Sequence, residues 1–221
     1  MCGIIAAASE RNVGKLLVQG LHKMEYRGYD SAGIALHQDD KIAHLRTLGK
    51  VKLLEEKMIS EKPRSKLGIA HTRWATHGEP SEENAHPHKS NERVYIVHNG
   101  IIENYLDLKD FLKNEGYSFS SQTDSELIAH MLEYFLSKDN TMLDAMYLTK
   151  EKLDGAYAIA AIDKEDDTNI IIARSKSPLL IGVGIDEFLA ASDPLAIGQL
   201  TNEFIFLEDG DVAEISSQSY T

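Results

Sequence analysis

One cysteine in a chain of 221 residues leaves no partner for an intrachain disulfide, so the core alone must hold the fold, as suits a reducing compartment. Lysine and arginine total 23 against 35 aspartate and glutamate, a formal net charge of -12. No basic cluster is long enough to follow a phosphate backbone, so nucleic acid is not an expected partner. No apolar run nears the ~20 residues of a membrane-spanning helix, so no membrane partner is expected either. The short apolar opening lacks a basic flank and stops at Ser9-Glu10-Arg11-Asn12, unlike a signal peptide, and position 2 is not the glycine that myristoylation needs. With 43% hydrophobic and 26% charged residues the chain has the balance of a folded globular protein, and the expected location is cytoplasmic.

What the chain does contain is two kinds of periodicity. An apolar run at 3–9 predicts a strand, and Val13, Leu16, Leu17, Leu21 and Met24 recur at helical spacing over 13–24. Segments 34–36 and 42–48 flank a polar turn as a hairpin does, and 51–59 has a second helical pattern. Short strands at 67–71 and 94–98 bracket a long polar loop with Pro80 and Pro87, a kind of loop more often functional than idle. Three helices are expected next. The first is marked by Ile102, Tyr105, Leu108, Phe111 and Leu112 and ends at Gly116; the second is marked by Leu127, Ile128, Met131, Leu132 and Phe135; the third spans 142–153. Thr123 with Glu126 reads as a capping box for the second, with Asp124 in its first turn. Beyond Gly155 come short β segments at 156–162, 170–173, 179–183, 188–191, 204–207 and 212–215. Strands at both ends with helices between imply two sheets with helical outer layers, and the polar residues 217–221 read as the start of a linker.

The lone cysteine is Cys2. Removal of Met1 would place its thiol, of unperturbed pKa ~8.5, on the same carbon as an α-amine of ~7.7–8.0, close enough for proton transfer in either direction. A terminal amine serves as base in threonine nucleophiles, so no nearby histidine is required. The bland alternative is a small apolar residue opening a buried strand. In the loop that starts His71-Thr72-Arg73-Trp74-Ala75-Thr76-His77-Gly78, Arg73 can grip a carboxylate with two parallel hydrogen bonds and Thr76 can add a donor; the alternative is a surface ion pair beside a capping tryptophan. Asn99-Gly100 can aim a side-chain amide and a backbone N–H at one oxyanion, or can form a plain Asn-Gly turn. Asp124 can pair with an ammonium, and Arg27-Gly28-Tyr29-Asp30-Ser31 can close over the nucleophile. His71, His77, His86, His88 and His98 invite a metal hypothesis, but there is no second cysteine and no H-E-x-x-H spacing, so no metal and no cofactor is expected.

In combination these segments resemble the class II glutamine amidotransferases, members of the N-terminal nucleophile hydrolases. Cys2-Gly3-Ile4 and Asn99-Gly100 are shared across that class. More discriminating are the run 25–33 (Glu25-Tyr26-Arg27 through Gly33), the loop from His71 to Ser81, Ala85-His86-Pro87-His88 and Thr123-Asp124-Ser125-Glu126. These are similar to the glutaminase domains of isomerising glutamine:fructose-6-phosphate aminotransferases. Phosphoribosylpyrophosphate amidotransferases and asparagine synthetases share the opening and the Asn-Gly pair but usually differ over Tyr26–Gly33 and in the Arg73–Gly78 loop. The resemblance covers residues 2–216, with 217–221 leading toward an absent sugar-isomerase module.

The resemblance implies an α+β fold, the four-layer αββα sandwich with two mainly antiparallel sheets between helical layers. It implies hydrolysis of the side-chain amide of L-glutamine, with Cys2 as nucleophile, its own amine as base, and Asn99 and Gly100 as oxyanion donors. Arg73, Thr76 and His77 would hold the substrate carboxylate and Asp124 its ammonium; Trp74 would help close over glutamine and Arg27 would wall the terminus. The family usually has threonine where this chain has Ser125, a change that keeps the hydroxyl. Ammonia would pass to the sugar-isomerase module with bound fructose 6-phosphate in a longer, homodimeric enzyme, whereas the domain alone could be a monomer. Two other classes remain open from residues alone: a glutamine-binding module without chemistry, and a histidine-rich metal-binding module.

Overall fold

The computed structural model describes residues 2–75 and 78–221. Strand β1 (Gly3–Ser9) leads to α1 (Gly14–Met24), a 3-10 turn at Glu25–Arg27, the hairpin β2 (Ser31–Gln38) and β3 (Lys41–Leu48), and α2 (Val51–Glu61). Next come β4 (Leu67–Arg73), β5 (His88–Ser90) and β6 (Val94–Ile102), then α3 (Tyr105–Asn114), α4 (Glu126–Leu136) and α5 (Met142–Lys150). The chain closes with β7 (Gly155–Asp163), β8 (Ile170–Ser175), β9 (Leu180–Val183), β10 (Glu187–Ala191), β11 (Phe204–Phe206) and β12 (Val212–Ile215).

Strand β1 explains the layering. Ile5 and Ala7 share one core with Leu17 and Leu21 of α1, whereas Ile4, Ala6 and Ala8 share another with Val97 of β6 and with Ala158 and Ala160 of β7. A strand's side chains alternate between faces, so a run apolar at every position needs cover on both sides. The opposite face of β7, Ile159 and Ala161, packs on Leu127, Ile128 and Met131 of α4 in a third core. Three cores separate four layers. The sheets run β11-β9-β10-β1-β4-β2-β3 and β12-β8-β7-β6-β5, with antiparallel pairing between all the strands named. The expected αββα sandwich with antiparallel sheets is therefore the fold observed.

Four local expectations need correction or extension. Ile102, read as the first residue of a helix, ends β6, because residues 99–102 continue the ladder with Ala158, Tyr157, Ala156 and Gly155. The same pairing puts Asn99-Gly100 inside a strand and removes the Asn-Gly turn reading. The polar loop contains the short strand β5, whose three residues are too few to show a period. The capping box at Thr123 does not form: α4 begins at Glu126, whose carboxylate instead accepts the backbone N–H groups of Ser120 at 2.9 Å and Ser121 at 2.6 Å. A true side-chain cap stands one helix on, where Thr141 Oγ1 accepts from Asp144 N at 3.1 Å. Residues 216–221 turn back on β12, with Glu214 and Thr221 exchanging two backbone hydrogen bonds and Tyr220 packed against Phe188.

Candidate active site

Register brings the separated sequence elements together. Gly3 of β1 lies opposite Thr72 of β4, so Cys2 sits beside the residues that leave the end of β4. The Trp74 backbone N–H donates to Cys2 Sγ at 3.3 Å, and the Trp74 carbonyl oxygen lies 3.5 Å from the same sulfur. The second sheet faces this point with β6, where the Asn99 Nδ2 amide donates to the Cys2 carbonyl at 3.3 Å. Gly100 follows with a φ of 135°, and a Cβ there would fall 1.9 Å from the Ala156 carbonyl oxygen. Only glycine lets the strand pass this close to its neighbour.

A cavity of about 280 Å³ opens beside the thiol, near the small end of the ~300–1,000 Å³ range of ligand pockets. Its lining includes Cys2, Arg27, Arg73, Trp74, Asn99, Gly100 and Asp124. Arg73 is buried at the end of β4, its guanidinium donating to the Gly78 carbonyl at 3.2 Å and lying 3.7 Å from Asp30. Asp124 is buried on the approach to α4, where its Oδ2 accepts the Ile102 N–H at 2.8 Å. A buried cation and a buried carboxylate thus occupy one small cavity, the arrangement a zwitterion requires. Arg27 pairs with Asp193, which also accepts from Tyr26 Oη at 2.8 Å. The Trp74 side chain is 51% exposed and lies over Gly28, where a Cβ would come within 2.6 Å of the indole. Thr76, His77 and Met1 lie outside the described residues.

Burial pushes the Cys2 thiol up, and the Trp74 N–H and the Arg73 charge work against that rise. The sulfur therefore needs a base to become a thiolate at neutral pH. Three residues support those singled out in the sequence: Asp193, which the sequence did not point to, and Asp30 and His71, which it named for other roles. Asp30 accepts the Ala75 N–H and faces Arg73, so it ties the loop after β4 to the Arg73 guanidinium. Asp193 holds Arg27 from a distant part of the chain, with no local motif to announce it. His71 reaches Asn99 from inside the sheet-sheet core, its Nε2 2.9 Å from Asn99 Oδ1. The histidines form a buried group, with His71 and His86 ring centroids 4.0 Å apart and those of His86 and His88 4.5 Å apart. Among the described residues no three of His, Cys, Asp and Glu are placed to hold a metal ion, and no helix is long and apolar enough to cross a membrane.

A four-layer sandwich with a cysteine at the end of a central strand of one sheet, facing an Asn-Gly pair on the other sheet, is the architecture of the N-terminal nucleophile hydrolases that act as glutamine amidotransferases. Residues 71–199, more than half of the chain, match the family described as glutamine amidotransferase domain, and the chain belongs to that family. It is 52% identical over 217 residues to the glutamine-fructose-6-phosphate aminotransferase (isomerizing) of Haemophilus ducreyi, covering 98% of this chain and 35% of the relative. The enzyme of the same name from Haemophilus influenzae is 51% identical over 221 residues, covering 99% and 36%. The chain thus spans about a third of the length of the curated relatives it matches. Among solved structures, the glutamine phosphoribosylpyrophosphate amidotransferase of B. subtilis superposes with a TM-score of 0.85 at 26% identity, over 100% of this chain and 48% of that one.

Proposed function

We propose that the chain hydrolyses the side-chain amide of L-glutamine through a thioester on Cys2, using the α-amine exposed by removal of Met1 as its base. The observation that carries this reading is the shared cavity: a thiol, an Asn-Gly donor pair, a buried guanidinium and a buried carboxylate line one space of amino-acid size. The α-carboxylate pairs with Arg73, aided by Thr76 and His77, and the α-ammonium pairs with Asp124. A simple amide without either charge would forgo one of these two charge pairings, which gives the selectivity.

The amine takes the Cys2 proton as sulfur attacks the side-chain carbonyl carbon. The oxygen becomes an alkoxide, which accepts hydrogen bonds from Asn99 Nδ2 and the Gly100 N–H. Collapse of this intermediate breaks the carbon–nitrogen bond, and the Cys2 ammonium formed in the first step gives its proton to the departing nitrogen, which leaves as ammonia. Water, deprotonated by the same amine, attacks the glutamyl thioester; glutamate leaves and the thiol is restored. Trp74 and its loop exclude bulk water from the covered substrate, while Arg27, held by Asp193, walls the terminus. In a longer chain of the kind the relatives have, ammonia would pass to a sugar-isomerase module with bound fructose 6-phosphate, in a homodimer; this chain by itself would make glutamate and ammonia only.

The test is ammonia release from L-glutamine by the processed chain, beside Cys2→Ala. Activity that Cys2→Ala abolishes, with glutamine still bound, fits this reading. Binding without release by the unaltered chain would instead favour a glutamine-binding module that performs no chemistry.

A further inference from the structure

We propose that His71 is a positioning residue that fixes which end of the Asn99 side-chain amide faces the reacting oxygen. The inference rests on the glutaminase reading above and adds a residue to it. His71 is fully buried in β4, on the face turned toward β6. Its Nε2 lies 2.9 Å from Asn99 Oδ1 and 3.1 Å from the His98 carbonyl oxygen. The His98 carbonyl can only accept, whichever way the Asn99 amide is turned, so Nε2 must carry the ring proton.

That proton decides the direction of the Asn99 amide. With Oδ1 held by His71, Nδ2 points to the Cys2 side of the cavity, where it donates to the Cys2 carbonyl. The flipped amide would set its N–H groups against the His71 N–H and turn Oδ1 toward the developing alkoxide, so donor would meet donor and acceptor would meet acceptor. A leucine would fill the same space without the penalty of a buried polar atom, and the ring pays that penalty here: His71 Nδ1 is buried with no hydrogen-bond partner among the described residues. Burial lowers the ring's pKa to about 3, so it stays neutral and its donor stays single across the physiological range.

Two amide substitutions that differ by one methylene separate positioning from packing. In His71→Gln the terminal N–H reaches about as far as Nε2, and in His71→Asn it stops short. With the processed chain and L-glutamine, His71→Asn should lower kcat by about 10- to 100-fold, less than the ~10²–10³ expected for outright loss of an oxyanion donor, and leave KM unchanged. His71→Gln should recover most of kcat, and iodoacetamide should alkylate Cys2 at the wild-type rate in both. Wild-type kcat in His71→Asn, an equally slow His71→Gln, or a parallel fall in kcat, substrate affinity and alkylation would each overturn the inference. A measurement on the unaltered chain stands apart from how the variants fold: nitrogen NMR of the His71 ring should show the proton on Nε2, and a proton on Nδ1 alone would overturn it. A wild-type chain that releases no ammonia would sink the glutaminase reading instead, and this inference with it.

Discussion

The proposed mechanism gives Asn99, Arg73 and Asp124 separable jobs, and kinetics can tell them apart. Asn99 Nδ2 meets charge that exists only in the transition state, so Asn99→Ala should cut kcat by about 10²–10³ and change KM little. Steady-state ammonia assays check this, and a rise in KM alone would mean that Asn99 binds ground-state substrate. Asp124→Asn keeps an oxygen for the Ile102 N–H but loses the charge, so KM for glutamine should rise by about 10- to 100-fold, the range for hydrogen bonds to charged groups. Arg73→Lys should act in the same direction, since a point charge cannot reproduce a forked grip. These three and Cys2 were legible because each stands in a run of unusual polar chemistry. The contacts of Asp193 and His71 were not, because their partners are 166 and 28 residues away and contact across a fold leaves no mark on local sequence.

At the scale of the element, Gly100 ties the proposed oxyanion site to the ladder between β6 and β7. Its φ of 135° and the Ala156 carbonyl 1.9 Å from any Cβ mean that Gly100→Ala must open that ladder. The strained backbone alone costs about 1–3 kcal/mol, and the clash adds to it. Gly116 has a φ of 93° with nothing within 4 Å of a Cβ, so Gly116→Ala should lose only the backbone share. Urea unfolding of the two variants should show the larger loss at Gly100; equal losses would contradict the close approach. Element type was readable wherever an apolar period ran long, as in α1, α4 and β1. Boundaries were not readable near 99–102, where a strand continues through an Asn-Gly pair that resembles a turn until its partner strand is known. The false capping box has a similar origin: Thr123 Oγ1 is engaged by His88 at 3.0 Å, a contact from β5 that outcompetes the local one.

For the whole molecule, several imidazoles buried between sheets and loops make stability depend on pH. Burial lowers His71 to about 3 and His44 to about 4, and lowers His86 and His98 as well. In the unfolded chain each would take a proton near pH 6.5. Between those values the unfolded state binds more protons, so stability is complete above about pH 6.5 and falls as pH drops, by up to about 1.4 kcal/mol per pH unit for each such group. The urea midpoint should therefore fall between about pH 7.5 and 5.5, above the range where carboxylates titrate; equal midpoints would show that these rings are not held neutral. The layer order was legible from strands apolar at every position. The pairing of the two sheets that meets Cys2 with Asn99 was not, since no periodicity within one strand says which strand of another sheet it will face.

The account depends on one sulfur being the atom that attacks glutamine. Treatment of the processed chain with a glutamine analogue bearing an electrophile in place of the side-chain amide, followed by mass mapping, tests this directly. The prediction is one adduct per chain, on Cys2, with loss of ammonia release and protection by excess L-glutamine. An adduct elsewhere, or a labelled Cys2 in a chain that still releases ammonia, would contradict it.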